Sequence, residues 1–146
     1  MKYINNYLKY PMHIPSNTVY MFTGNRVVCK GQLIMGGGNA LECAKAYPMI
    51  PTRLAKANIK PTVLNYFTKY HDGLVGCMFT KNHYKDPSPL DMVIAAIEDL
   101  GKVARTKGKD FTFHVPYPSI GLGGLTRDQL DSHIEKLPDN VIIYYV

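Results

Sequence analysis

Two glycine-rich stretches carry the residue types most suited to chemistry in this chain. The first has three consecutive glycines, Gly36 to Gly38, followed by Asn39 and, three residues later, by Glu42. Asn39 is a favoured N-cap residue and Glu42 completes a capping-box pattern, so the stretch predicts the start of a helix. Glycines let a ligand approach the main chain closely. Free backbone N–H groups and the helix dipole at such a start form an anion site.

The second stretch runs from Ser119 to Leu125 and reads S-I-G-L-G-G-L. It leads into another predicted helix start, where Thr126 and Gln129 form a second capping-box pattern. Two such loops in one small chain favour a ligand with more than one phosphate. Neither loop is a P-loop or a dinucleotide fingerprint, because no Lys-Ser/Thr pair follows the first and the GxGxxG spacing is absent.

Composition and charge narrow the class of protein. A length of 146 residues favours a single domain, 1–146, with a substantial core. The net charge of +6 is compatible with a nucleic-acid partner, but the lysines are scattered and form no basic tail. Cys29, Cys43 and Cys77 are far apart and lack metal-ligand spacing, so we expect reduced, structural thiols, no metal and no cofactor. The chain has neither an apolar run long enough to span a bilayer nor a signal-peptide core, so we expect a cytoplasmic protein without a membrane partner.

Hydrophobic periodicity predicts strands that alternate with helices. Runs of β-branched and aromatic residues between turn residues predict strands, and apolar residues at helical spacing predict helices. The clearest helix has Ser88 as its N-cap, Pro89 as its first residue and Asp91 in its first turn, and it ends before Gly108. The predicted strands are 18–23, 62–67, 74–80, 111–116 and 141–146, and the other predicted helices are 39–47, 50–57 and one from residue 126.

This alternation predicts an α/β protein in which helices cover both faces of one sheet. Ligands of such folds bind beyond the carboxyl ends of the strands. Both glycine loops follow a strand and precede a helix, so we expect both at the same edge of the sheet.

Three stretches, taken in order, resemble the macro domain, the ADP-ribose-binding α/β fold, over about 18–146. Residues 25–48 are similar to the family's strand-end asparagine, its M-G-x-G-x-A loop and the Phe/Tyr-Pro that closes the following helix. Residues 79–90, with Thr80-Lys81 and His83, resemble the branch that includes the DNA ADP-ribosyl glycohydrolase antitoxins. Residues 115–125 are similar to the family's phosphate loop, G-x-G-L-G-G-L.

The resemblance implies a three-layer α/β/α sandwich with a mixed central sheet, and it implies roles for single residues. Lys81 would be the nucleophile or an electrostatic catalyst, unless it is a surface lysine or only neutralises phosphate. His83 is the candidate for proton transfer, and Tyr84 beside it for stacking. Asn25 would bind the distal ribose, although an asparagine at a strand end is also a common turn residue. The expected ligand-binding residues are Asn25, Met35, Gly36, Gly37, Gly38, Asn39, Ser119, Ile120, Gly121, Leu122, Gly123 and Gly124.

The chain departs from the family pattern at two points. Many members carry Gly-Asp-Ile/Leu near the N-terminus, and the aspartate holds the adenine amino group. The nearest stretch here is 5–8, Asn-Asn-Tyr-Leu, so adenine recognition would fall to Asn6 or another residue, and Tyr117 is a candidate for stacking. Some glycohydrolases of the family carry an aspartate in the second loop, where this chain has Gly123.

These features favour an enzyme that binds ADP-ribose or an ADP-ribosylated macromolecule and hydrolyses the ADP-ribosyl linkage, or the 1″-phosphate of ADP-ribose. The alternative is a non-catalytic module for ADP-ribose or another NAD-derived nucleotide, which the missing aspartate favours. A basic nucleic-acid-binding protein without an ADP-ribose site would account for the charge but would leave both glycine loops unexplained.

Overall fold

In the computed structural model, which describes Met1–Val146, eight strands and four helices follow one another along the chain. The strands are β1 (Lys2–Asn5), β2 (Thr18–Gly24), β3 (Val28–Cys29), β4 (Gln32–Leu33), β5 (Asn65–Tyr70), β6 (Gly73–Phe79), β7 (Thr112–Pro116) and β8 (Val141–Tyr145). The helices are α1 (Gly38–Ala46), α2 (Ile50–Lys56), α3 (Leu90–Lys107) and α4 (Arg127–Ile134). None of them is both long and apolar enough to cross a membrane.

Six strands form one sheet in the order β1-β8-β7-β2-β6-β5. All neighbours in it are parallel except β5 and β6, which form an antiparallel edge pair. Strands β3 and β4 form a separate small hairpin. The mixed central sheet is therefore confirmed, and its parallel strands bring several carboxyl ends to one edge.

Helices cover both faces of the sheet, as expected. Because successive side chains of a strand point to opposite faces, Met21 and Phe22 of β2 enter different cores. The core on the Met21 side has 16 buried hydrophobic residues and includes the apolar stripes of α3 and α4. The core on the Phe22 side has 12 such residues, among them Cys43 of α1 and Leu54 of α2. Each fully buried large side chain contributes about 1.5–3 kcal/mol, so both helical layers are firmly attached to the sheet.

The strand predictions needed correction at three strands that were missed, β1, β3 and β4, and at one that was misplaced. β1 was not predicted, and it pairs in parallel with β8 at the edge of the sheet. The strand predicted at 62–67 begins and ends three residues later, as β5. A turn at His71, whose φ is +52°, and Asp72 sets its register with β6, and Tyr70 pairs with Gly73. Long-range pairing thus overrides local β propensity.

The first helix starts differently from the prediction. Its N-cap is Gly37, not Asn39, and Glu42 belongs to no capping box. The side chain of Asn39 instead accepts a hydrogen bond from the Thr23 N–H (2.7 Å) and donates one to Thr23 Oγ1 (3.1 Å). Asn39 therefore ties the start of α1 to the end of β2.

The starts of the two later helices differ from each other. The capping box of Thr126 and Gln129 at α4 is confirmed. The N-cap of α3 is Pro89 rather than Ser88, and the Ser88 hydroxyl makes no capping hydrogen bond. Asp91 lies in the first turn and Gly108 ends the helix with a φ of +76°, as expected.

Candidate functional site

Both glycine loops meet at the carboxyl ends of β2, β6 and β7. There they enclose a cavity of about 530 Å³, here called the central cavity. The first glycine loop (residues 34–39) connects β4 to α1, and the second (residues 119–124) connects β7 to α4. Of the predicted site residues, all but His83 and Gly124 line the central cavity. A volume of this size suits a small-molecule ligand.

Asn25 anchors the first glycine loop from its base. The side chain is 8% exposed, and its Nδ2 donates a hydrogen bond to the Ile34 carbonyl (3.0 Å) while its Oδ1 accepts one from the Val27 N–H (2.7 Å). An amide has two N–H donors and a carbonyl with two lone pairs, so Asn25 retains one donor and one acceptor for a ligand.

The first glycine loop ends in the free N–H groups of α1. The Leu41 N–H donates to the Gly37 carbonyl (3.2 Å) and is the first to bond back onto the N-cap. The N–H groups before it have no partner within the helix, which is the usual property of a helix start. They face a loop of glycines and can donate hydrogen bonds to an anion bound there.

The second glycine loop folds back on itself. The Leu125 N–H donates to the Ser119 carbonyl (2.9 Å), and the Gly124 N–H donates to the Gly121 carbonyl (3.2 Å). Ser119 has a φ of +66°, a left-handed conformation that favours glycine over serine. Non-glycine residues held this way carry strain of about 1–3 kcal/mol and cluster at ligand-binding loops.

Gly123 has no room for a side chain. A Cβ there would lie 2.6 Å from Ser119 Cα, 2.6 Å from the Ser119 carbonyl oxygen and 2.7 Å from Ser88 Oγ. Two of these three atoms belong to backbone, which cannot move aside cheaply. An aspartate at this position therefore does not fit this backbone.

Lys81 reaches from the end of β6 to the second glycine loop. The Thr80 and Lys81 N–H groups both donate to the Gly24 carbonyl (2.9 and 3.4 Å), which fixes the turn out of the sheet. The half-buried Lys81 side chain lines the central cavity, and its Nζ donates to the Leu122 carbonyl (3.1 Å). Lys81 has no carboxylate partner, so its amine faces the cavity without an ion pair.

His83 lies outside the central cavity. Its ring stacks on Tyr84 (centroids 4.3 Å apart), and its Nδ1 accepts a hydrogen bond from the Lys85 N–H (3.1 Å). Tyr84, 45% exposed, lines the cavity in its place. Tyr117, the other stacking candidate, also lines it. The lining residues that the sequence did not single out for the site are Thr23, Gly24, Ile34, Ala40, Thr80 and Ser88. Their signal in the sequence is only that most of them lie at strand ends or inside the two loops.

A second, larger cavity of about 1080 Å³ adjoins the central one. The two share Gly38, Asn39, Tyr117, Ile120 and Gly121, so they form one continuous groove across the glycine loops. The second cavity is aromatic and cationic, and its lining includes Asn6, Tyr7, Tyr10, Tyr144, Tyr145, Lys9, Lys45 and Arg127.

A network around Arg127 forms one wall of the second cavity. The guanidinium lies over the rings of Tyr145 (4.7 Å), Tyr3 (4.9 Å) and Tyr117 (5.3 Å). Asp131 Oδ1 accepts hydrogen bonds from the Tyr117 hydroxyl (2.6 Å) and from Arg127 Nε (3.0 Å). Burial raises the pKa of Tyr117, and its bond to Asp131 raises it further. Partial burial raises the pKa of Asp131, but the hydrogen bonds from Tyr117 and Arg127 outweigh it and hold that pKa below its ordinary value.

The two sites differ in the chemistry they can support. In the central cavity, the glycine N–H groups and the Lys81 amine suit phosphate and sugar oxygens. The tyrosine-lined second cavity suits a nucleobase. No group of three or more His, Cys, Asp or Glu side chains is arranged to hold a metal ion.

Comparison with known proteins places the fold. No protein-family model and no curated protein matches the chain. Solved structures do match it. Thermosipho africanus DarTG in complex with ADP-ribose shares 20% identity at a TM-score of 0.70, over 88% of this chain and 38% of that one. The Mycobacterium tuberculosis DarG macrodomain shares 23% identity at a TM-score of 0.70, over 98% of each chain. The Thermus aquaticus DarG macrodomain shares 20% identity at a TM-score of 0.70, over 99% of this chain and 97% of that one. At these identities the likeness shows a shared fold.

Proposed function

We propose that this chain, which has the macrodomain fold, binds ADP-ribose or an ADP-ribosylated macromolecule and hydrolyses the ADP-ribosyl linkage. One observation carries the proposal: the two glycine loops and Lys81 surround the same cavity of about 530 Å³. The similar DarTG structure holds ADP-ribose, which agrees with the phosphate and sugar chemistry of this groove.

The groove determines the orientation in which ADP-ribose binds. The base occupies the tyrosine-lined second cavity, where aromatic rings and the Arg127 guanidinium offer stacking surfaces. The diphosphate crosses the shared stretch at Gly38 and Gly121, beside the start of α1. The distal ribose enters the far end of the central cavity, which contains Asn25 and Lys81.

In this orientation Lys81 is the residue that acts on the distal ribose in the chemical step. As a nucleophile, its neutral amine attacks C1″ of the distal ribose, the bond to the modified atom breaks, and that atom leaves with a proton. The ribose ring of the resulting glycosylamine opens to give an imine, as the bond from C1″ to the ring oxygen breaks and that oxygen takes up the proton from the nitrogen. Water hydrolyses the imine, which releases ADP-ribose and restores the amine. As an electrostatic catalyst, the ammonium instead stabilises charge that develops as water attacks. Both routes consume one water for each linkage.

A non-catalytic binding module is the second candidate, and a specific feature favours it. The backbone around Gly123 excludes the aspartate found at this position in some glycohydrolases, so Lys81 has no carboxylate partner from that loop.

The charge of the protein fits an ADP-ribosylated nucleic acid as the macromolecule that either candidate recognises. The net charge is +6, and Lys9, Lys45 and Arg127 lie along the groove.

The test combines binding with turnover. Calorimetry measures ADP-ribose affinity, and ADP-ribosylated DNA, ADP-ribosylated protein and ADP-ribose 1″-phosphate are assayed as substrates. We expect Lys81→Ala to lower turnover at least about 100-fold, because it removes the group that acts at C1″. Lys85→Ala is the matched control, since Lys85 is an exposed lysine of the same segment that does not line the cavity.

Each outcome has a distinct reading. No ADP-ribose binding at millimolar ligand rejects both the enzyme and the module. Binding without turnover on any substrate leaves the module. If Lys81→Ala retains as much turnover as Lys85→Ala, the protein is still an enzyme, but Lys81 does not take part in the chemical step.

A further inference from the structure

The Ser88 hydroxyl is buried and unpaired. The serine is 5% exposed, and its Oγ has no hydrogen-bond partner in the protein. Its backbone N–H is used, because it donates to the Gly123 carbonyl (2.9 Å). A serine near the start of a helix commonly uses its hydroxyl to cap that helix, but the N-cap of α3 is Pro89. Leaving a buried hydroxyl unpaired lowers stability, so such groups need an explanation.

The hydroxyl belongs to the end of the groove that takes the distal half of the ligand. Ser88 lines the central cavity together with Lys81 and Asn25, and none of the three lines the second cavity. A ligand whose base occupies the second cavity, and whose phosphates cross at Gly121, therefore reaches Ser88 last.

A second unpaired hydroxyl lies in the same part of the cavity. Ser119 is 8% exposed, its Oγ also has no partner, and its backbone is held in the left-handed conformation. Both serines lie against Gly123, because a Cβ on that glycine would be 2.7 Å from Ser88 Oγ and 2.6 Å from the Ser119 Cα and carbonyl oxygen. Two serines that line one cavity and keep buried, unpaired hydroxyls, next to a glycine that admits no side chain, indicate groups that find their partners when a ligand enters.

We propose that Ser88 is a positioning residue whose hydroxyl hydrogen-bonds an oxygen of the distal ribose beside Lys81; this rests on the proposed function. A sugar hydroxyl both donates and accepts, and so does a serine hydroxyl, whereas a phosphate oxygen only accepts. The neighbours at this end, Asn25 and Thr80, are neutral polar groups of the same kind. A single cation, Lys81, stands among them.

The test separates the distal ribose from the rest of the ligand. Affinities for ADP-ribose and for ADP, which lacks the distal ribose, are measured by calorimetry for wild type and Ser88→Ala, together with the melting temperature. We expect ADP-ribose to bind about tenfold more weakly to the variant, and ADP to bind within about twofold of wild type. The melting temperature should stay level or rise, because the substitution removes an unpaired buried hydroxyl. Ser132→Ala, an exposed serine on α4, is the control and should change neither affinity.

Four results would overturn the inference. Unchanged ADP-ribose affinity in Ser88→Ala would mean that only water pairs the hydroxyl. Equal losses for ADP-ribose and ADP would assign Ser88 to a phosphate. Losses with a lower melting temperature would make Ser88 a structural residue. A wild type that binds neither ligand rejects the proposed function and this inference with it, whereas the first three results leave the proposed function standing.

Discussion

Replacing Gly123 with alanine tests whether the second glycine loop is as tightly packed as its geometry implies. The added Cβ would lie 2.6 Å from two Ser119 atoms of the backbone and 2.7 Å from Ser88 Oγ. Contacts below about 3 Å force the loop to move. Overpacking of a well-packed site typically costs about 1–3 kcal/mol, and clashes with backbone belong at the upper end of that range. Alanine also restricts the unfolded chain, which offsets about 0.4–1 kcal/mol.

The expected net loss in the free energy of unfolding is therefore about 2 kcal/mol. For a chain of this size that corresponds to a melting temperature about 4–8 °C lower. The same movement displaces Ser119, which lines the central cavity, so ADP-ribose should bind more weakly as well. Urea denaturation and calorimetry measure the two effects.

Gly121→Ala is the matched control in the same loop. A Cβ there would meet nothing within 4 Å, and the φ of Gly121 is not positive, so alanine fits without strain. Its free energy of unfolding should equal that of wild type or exceed it by about 0.4–1 kcal/mol. If Gly123→Ala proves as stable as Gly121→Ala, the tight packing of the loop, and the reason given for the missing aspartate, are both refuted.

Two further predictions concern the first glycine loop and the sheet. Gly37→Val should weaken ADP-ribose binding at least about tenfold by calorimetry, because a side chain there prevents close approach of the ligand to the main chain. It should lower the free energy of unfolding by at most about 1 kcal/mol in urea denaturation, because φ is −150° and the new Cβ meets only the Leu122 side chain, at 3.1 Å. Normal binding by a folded Gly37→Val would mean that this loop does not face the ligand. Burial lowers the pKa of His114, which stacks on Tyr20 with centroids 4.3 Å apart, so protonation disfavours the folded state. Wild type should therefore lose stability as the pH falls below about 6.5, where the unfolded histidine takes up its proton, and His114→Phe should lack this component in urea denaturation at a series of pH values. Parallel pH profiles for the two proteins would contradict it.

Local patterns identified most of the elements and both glycine loops. The stripe of α3, the capping box at Thr126 and the apolar strands β2, β6 and β8 each depend on neighbours within a few residues. Such features are encoded locally, because helix and strand periodicities repeat over short windows. That both loops meet at one edge of the sheet also followed from the sequence, since a loop that follows a parallel strand lies at its carboxyl end.

The assignment of single side chains followed the sequence less well. Asn39 and Ser88 both have the residue type of an N-cap, yet Asn39 bonds to Thr23 and Ser88 keeps its hydroxyl unpaired at the cavity. His83 and Tyr84 are adjacent in sequence, and only Tyr84 lines the cavity. In each case the chain offers more than one partner at similar cost, and the neighbouring elements select among them.

The sequence by itself determined the order of the four helices and of five of the eight strands, the two glycine loops and the lysine at the end of β6, because each is expressed in local residue types. Only the tertiary structure decided which groups share the cavity. It placed Lys81 Nζ 3.1 Å from the Leu122 carbonyl, closed the space beside Gly123, and joined the tyrosine-lined cavity to the glycine loops. These relations connect residues that are far apart in sequence, and long-range packing, which no local pattern records, brings them together.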